Sequence, residues 1–319
     1  MLQIKKMRPD HVIDFAAEEL KKYLRMMMPQ EDEIDILYDP NATDGFRLGF
    51  LSDFGLPCEA EDPVLDDVIH VDTTAQGGIL AGSNSRSVLF AVYRMLRENG
   101  CRWLYPGVDG EYIPVKAIGP VRYHKLADHR FRGHCNEGAE SQQAMLETID
   151  FFAKQELNVY MLEFDIPFIY YDWYYSHAQN EENREPEPVS YQQVFQWKRQ
   201  CEAEIAKRGL QFHDMGHGWT AEPFGISSVK GWVPTEQVLS EEQREALAMI
   251  NGVRELWNGI ALNTNLCMSN PKVRTTMAKG ILEYAKKHRN VDYLHVWLAD
   301  SSRNHCECPE CQKARHTWR

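Results

Sequence analysis

Residues 157–164, LNVYMLEF, form a nearly continuous apolar run. A strand with one face in water alternates apolar and polar side chains, whereas a strand covered on both faces does not need to. The stretch therefore reads as a buried parallel strand, which needs helices to cover it. Those helices are legible on either side. SQQAMLETIDFFAKQE (141–156) places Met145, Ile149 and Phe152 on one helical face, and YQQVFQWKRQCEAEIAKRG (191–209) follows a tyrosine-rich acidic loop over 165–189. Working outward, FRGH (131–134) reads as a brief strand before LNVYMLEF. LQFHDMGHGW (210–219) reads as a third strand and VDYLHVWLAD (291–300) as a fourth. Between the last two, EEQREALAMINGVRELW (241–257) and VRTTMAKGILEYAKKH (273–288) carry helical spacing. Strand–helix units repeated in this order build a parallel β/α fold, most economically a TIM-type barrel. A complete barrel takes roughly 250 residues, and about 190 remain after residue 125. The expectation is an incomplete (β/α) barrel over 125–319, the N-terminal half of a longer one, with an open apolar edge that favours self-association. A compact open α/β sheet is the alternative.

The first 120 residues have a different rhythm. VIDFAAEELKKYLRMM (12–27) repeats Ile13, Ala17, Leu20, Leu24 and Met27 at helical spacing, and SRSVLFAVYRMLRENG (85–100) does the same with Val88, Val92 and Met95. FRLGF, VIHVD and GGILAG read as short strands, so residues 1–120 are expected to form a small α/β domain. The glycines at 77, 78 and 82 make no dinucleotide fingerprint, and there is no phosphate loop.

Composition narrows the function classes. The chain of 319 residues is 43 % hydrophobic and 26 % charged, as ordinary globular proteins are. A net charge of −12 argues against a nucleic-acid partner, whose affinity comes mostly from Lys and Arg on phosphates. No run approaches a membrane span, so no membrane partner is expected. The N-terminus has basic residues but no apolar run behind them, which points to the cytoplasm unless a leader has been lost. Eight cysteines are too few for a disulfide scaffold.

Two segments carry a resemblance. GGILAGSNSRSVLFAVYRMLRENGCRWLYPGVDGEYIP (77–114), with FAAEELKKYL (15–24), resembles the small N-terminal α/β domain of α-glucuronidases and related hexosaminidase-type glycoside hydrolases. LCMSNPKVR (266–274) through HVWLADSSRNHCECPEC (295–311) is similar to a bacterial glycoside-hydrolase-like barrel domain of unknown function that commonly follows it. The resemblance implies a carbohydrate-active enzyme, a glycoside hydrolase acting on O-glycosyl bonds, with uronic-acid-containing saccharides as a substrate class. A non-catalytic carbohydrate-binding or structural module on the same scaffold is the alternative reading. Hexosaminidases of similar plan carry an Asp-Glu pair at the fourth strand's end. This chain has Asp300-Ser301, so their substrate-assisted mechanism does not carry over.

Glycosidic hydrolysis needs two carboxyl functions across the bond, or one with an activated substrate group, and barrels place such groups where strands end. The catalytic candidates are Asp300 after strand four, Glu163 after LNVYML, and His217 after strand three. Asp300 can equally cap the following loop. Trp219 is the candidate for stacking on a sugar ring. Asn136, Glu137 and Arg132 flank the first strand as further binding candidates. Arg132 suits a carboxylated sugar or an internal ion pair. His213 reads more readily as a satisfied core or rim histidine. Tyr170, Tyr171, Trp173 and Tyr174 suggest a binding wall or a simple cover for the mouth. Cys306-x-Cys308-x2-Cys311, completed by Cys267, has the ligand types of a structural zinc, with free thiols as the alternative. His305 is the other candidate ligand. Four thiolates would leave no open position, so no cofactor for catalysis is expected.

Overall fold

The computed structural model describes the chain except Met1, Asp32, Glu137, Ala139, residues 164–167 and residues 317–319. The described residues fall into two compact units. The first comprises residues 1–134, 142–160 and 200–211, and the second residues 135–141, 161–199 and 212–319.

Strands β1 (Leu2–Lys6), β2 (Ile34–Tyr38), β3 (Phe46–Phe50), β4 (Val68–Thr74) and β5 (Gly77–Gly82) lie in the first unit, with a two-residue pair β6 (Arg102–Trp103) and β7 (Glu111–Tyr112), and then β8 (Val121–Leu126). Six of them form one sheet in the order β2-β1-β3-β5-β4-β8. β1, β2, β3 and β5 pair in parallel, while β4 runs antiparallel to both β5 and β8. Strand β8 extends this sheet past residue 120. Helices α1 (His11–Met27) and α2 (Ser85–Glu98) pack on each other and on the sheet. Asp10 starts α1 by accepting from the backbone of Val12 and Ile13, and Asn84 starts α2 by accepting from Ser87. Both capped termini are of the kind that stabilises a helix by about 1 kcal/mol. Gly82 lets α2 sit close: a Cβ there would lie 2.4 Å from the Cβ of Ser87.

Charge is buried here as well. Asp67, 0 % exposed, forms an ion pair with Arg86 (2.8 Å) and accepts from Arg132 (2.7 Å), Ser87 (2.9 Å) and Asn158 (2.7 Å). A buried carboxylate is tolerable when its lone pairs are satisfied in this way. Arg132 also donates to the carbonyls of His129 and Glu156. All of these contacts lie within the first unit, and the one to Asp67 is an ion pair.

Four parallel strands form the second sheet, in the order β14-β11-β10-β9, where β9 is Gly133–Asn136, β10 Val159–Glu163, β11 Gln211–Gly216 and β14 Tyr293–Val296. This order is consistent with a partial barrel. Helix α3 (Gln142–Lys154) follows β9, and α4 (Phe168–Tyr175) and α5 (Tyr191–Lys207) follow β10. Helix α4 occupies part of the stretch expected to be a loop.

One helix is corrected. Residues 241–257 were expected to be helical throughout, but α6 stops at Ala246, and a short hairpin follows, β12 (Met249–Ile250) with β13 (Val253–Arg254). Asn251 and Gly252 both take positive φ, 52° and 80°. An Asn-Gly pair in that conformation is the favoured two-residue hairpin turn, and it overrides the helical spacing around it. Helix α7 (Pro271–Lys287) precedes β14, and α8 (Pro309–His316) follows the cysteines.

Candidate functional site

Strands β11 and β14 are in register from His213↔Tyr293 to Gly216↔Val296. The two residues that follow them, His217 and Trp297, therefore emerge side by side. The Trp297 N–H bonds the Gly216 carbonyl at 3.1 Å, and the two rings stand edge to face with centroids 5.1 Å apart. His217 Nδ1–H donates to the Leu298 carbonyl at 2.6 Å, since a carbonyl can only accept. In the neutral ring this leaves the lone pair on Nε2.

Trp232 joins from the segment between β11 and α6. Its ring lies 6.4 Å from His217 and 6.4 Å from Trp173, and Tyr170 lies 6.3 Å from it. Its Nε1–H donates to Asp300 Oδ2 at 3.0 Å. The Asp300 carboxylate is exposed, and its backbone N–H bonds the Leu262 carbonyl at 2.9 Å. Indole–carboxylate contact fixes where the charge sits without removing it from solvent. An aromatic wall with an imidazole and an oriented carboxylate thus stands at the C-terminal edge of the parallel sheet. Such an arrangement can stack a sugar face and offer proton-transfer groups beside it.

The opposite face of β11 looks toward the helices. Asp214, 2 % exposed, accepts from Lys198 Nζ on α5 at 3.0 Å and from the Tyr284 hydroxyl on α7. A cavity of about 360 Å³ opens beside this buried pair, lined by Asp214, His217, Trp219, Tyr284, His288 and Leu294 among others. Trp219 stands edge-on to Tyr284, at 5.3 Å and 88°, and packs against the apolar cluster that includes Ile226, Leu247 and Met277. It lines this cavity and is not part of the Trp232–Trp297 wall. His213 is 5 % exposed and shares a hydrogen bond with His295 at 3.0 Å. Burial, then the neighbouring imidazole, pushes its pKa down to about 4, so it is a neutral core histidine.

Among the remaining candidates, Asn136 ends β9 half-buried. Glu137 and the Glu163 side chain lie outside the described residues. The loop aromatics divide. Tyr170 and Trp173 join Trp232, Tyr171 turns to Trp197 at 5.2 Å, and Tyr174 meets Tyr175 and His177. Trp232 and Trp297 were not foreseen as site residues. The alternation of β14 offered a signal for Trp297, since apolar Leu294, Val296 and Leu298 occupy the other face. No spacing in the sequence pointed to Trp232.

Cys267, Cys306, Cys308 and Cys311 form a separate cluster whose sulfurs all lie within 4.8 Å of one another. Cys267 Sγ is 3.7 Å from Cys308 Sγ and 3.9 Å from Cys311 Sγ. A tetrahedral ion with metal–sulfur bonds of about 2.3 Å sets its ligands about 3.8 Å apart. The donor set and spacing therefore fit a four-thiolate metal site. A hydrogen bond from Ser269 lowers the Cys308 thiol to about 6, and burial raises Cys306 to about 12. At Cys267 burial opposes ionisation, but hydrogen bonds from Ser269 and Arg254 outweigh it and lower its pKa. Arg254 donates to Cys267 Sγ at 3.6 Å and the Met249 N–H to Cys306 Sγ at 3.3 Å, the outer contacts that thiolates need. His305 is exposed and is not among the clustered ligands.

Residues 170–318, a little under half of the chain, match the family described as "Domain of unknown function (DUF4838)". No curated protein matches. Among solved structures, a β-N-acetylhexosaminidase from Bacteroides fragilis NCTC 9343 aligns over 99 % of this chain and 56 % of its own, at 11 % identity and a TM-score of 0.50. A Clostridium perfringens enzyme, CpGH89, solved in complex with its substrate GlcNAc-alpha-1,4-galactose, aligns over 90 % and 33 % at 14 % identity and TM-score 0.48. A GH138 enzyme targeting pectin rhamnogalacturonan II aligns over 93 % and 30 % at 13 % identity and TM-score 0.48. The chain thus spans between 30 % and 56 % of the length of these structures. At 11 % identity the likeness to the hexosaminidase is one of fold.

Proposed function

We propose that this chain carries the sugar-binding mouth of a glycoside-hydrolase-type (β/α) barrel that acts on O-glycosyl bonds. The observation that supports it most is the Asp300 carboxylate held by Trp232 beside His217 and Trp297 at the strands' C-terminal edge. In this reading Trp232 and Trp297 stack the sugar and Asp300 serves as acid/base or as a clamp on its hydroxyls. His217 accepts a proton or hydrogen bond at Nε2. Glu163, at the end of β10, is the second carboxylate of the pair that hydrolysis needs. Uronic-acid substrates are part of the proposal through the α-glucuronidase resemblance.

The reading extends to the cysteines, which we assign to a structural zinc held by Cys267, Cys306, Cys308 and Cys311. When bound, zinc closes the tetrahedron and contributes folding energy.

The test of catalysis is an assay of the whole protein against a panel of aryl glycosides and glucuronoxylan fragments. Asp300→Asn and Glu163→Gln are each expected to lower turnover by roughly 10²–10⁴-fold, the usual worth of a general acid or base. Wild-type turnover retained by both would clear these residues of catalysis.

A further inference from the structure

In the first unit His70 on β4 stands directly opposite His124 on β8, the last strand of the sheet. Their rings meet edge to face, with centroids 5.2 Å apart, and Nδ1 faces Nδ1 at 3.0 Å. On the other side of His124, Nε2 lies 3.1 and 3.0 Å from the two carboxylate oxygens of Glu59. An ionised carboxylate only accepts, so the Nε2 of His124 carries the proton. In the neutral ring the lone pair is then on Nδ1, aimed at His70. Metal-binding histidines are commonly oriented by a carboxylate in this way. Burial, then the adjacent His124, lowers the pKa of His70, which keeps it neutral and able to ligate. The His124 side chain is 36 % exposed, so the pair is open to solvent.

We propose that His70 and His124 form a bidentate site for a divalent transition-metal ion, with Glu59 as the positioning carboxylate. With metal–nitrogen bonds of about 2.0–2.1 Å, the 3.0 Å separation subtends about 94° at the ion. That is the cis angle of square-planar or octahedral coordination, the preference of Cu(II) and Ni(II). A tetrahedral ion would need the nitrogens about 3.3 Å apart. Binding replaces the histidine–histidine hydrogen bond: His70 changes tautomer, its Nδ1 proton passing through solvent to its own Nε2, so that both rings stay neutral, both Nδ1 lone pairs go to the ion, and water fills the other positions. The bound ion clips edge strand β8 to β4. It is chemically distinct from the cysteine cluster, being nitrogen-ligated and open where that one is sulfur-ligated and closed.

The experiment is a calorimetric titration of the whole chain with Ni(II) chloride near neutral pH, after equilibration with zinc so that the thiolates are occupied. One saturable equivalent of Ni(II) is expected. His70→Ala and His124→Ala should each weaken it at least tenfold, and Glu59→Gln about tenfold, the lower end of such carboxylate effects. Melting curves without nickel should be unchanged in His124→Ala and Glu59→Gln, whose side chains are exposed, so that their effect on nickel is read apart from folding. Wild-type protein that takes up no Ni(II) at millimolar concentration, or histidine variants that bind it with wild-type affinity, would overturn the site. Unchanged affinity in Glu59→Gln would remove Glu59 from it.

Discussion

At the scale of single residues, the site separates side chains that face the mouth from those spent on the interior. His213 and His217 are four residues apart in the same segment, yet one is locked against His295 and the other stands among tryptophans. The difference has a pH signature. The folded pKa of His213, about 4, lies below the unfolded value of about 6.5. The unfolded chain therefore binds the proton more readily, and stability should fall as pH drops from about 6.5 toward 4, by on the order of 3 kcal/mol in total. Urea unfolding across that range should show the decline in the wild type, and His213→Phe should flatten it. An equal slope in both would place the proton elsewhere. The placement of Asp300 and His217 was legible from residue type, since both follow segments that read as strands. Arg132 and Trp219 were not separable from binding residues by sequence, because their partners, Asp67 and Tyr284, are 65 residues away in each case.

At the scale of elements, periodicity served where a helix or strand was long and failed where a turn intervened. The strands around LNVYMLEF and YLHVW appeared close to where they were read. The Asn251-Gly252 turn was hidden inside a helical pattern, although its two residues are the strongest short hairpin signal. That hairpin matters because it delivers Met249 and Arg254 to the cysteines. The same cluster borders the Asp300 loop: Asn304, 1 % exposed, donates to the Asn263 carbonyl at 2.6 Å and accepts from Asn265 at 2.9 Å. With zinc assigned to the four thiolates, purified protein should carry about one zinc per chain by elemental analysis. Cys308→Ser should lose the ion and lower the melting temperature, since structural zinc is part of the folding free energy. Metal-free protein with four titratable thiols and an unchanged melting point in the variant would refute the assignment.

At the scale of the whole molecule, the parallel sheet ends in β14 on one side, with Val296 37 % and Leu298 49 % exposed near that edge. An open strand edge with apolar side chains is a template for pairing with another chain. The 319-residue chain should therefore self-associate as its concentration rises, and light scattering of a clean monomer at high concentration would count against this.

The four-stranded parallel sheet was legible because repeated strand–helix units leave few topologies open. The six-stranded sheet was less so. β1, β2 and β8 have short or charged patterns that become strands only when paired. The most direct measurement of the proposed function is sugar binding by the chain itself, followed through tryptophan fluorescence, because Trp173, Trp232 and Trp297 stand around His217 at the sheet edge. Titration with a panel of neutral and uronic-acid oligosaccharides should give a saturable change for at least one of them, weakened at least tenfold in Asp300→Ala and lost in Trp297→Ala. Saccharides that leave the spectrum unaltered throughout the panel, or a response indifferent to both substitutions, would contradict a sugar site at this sheet edge.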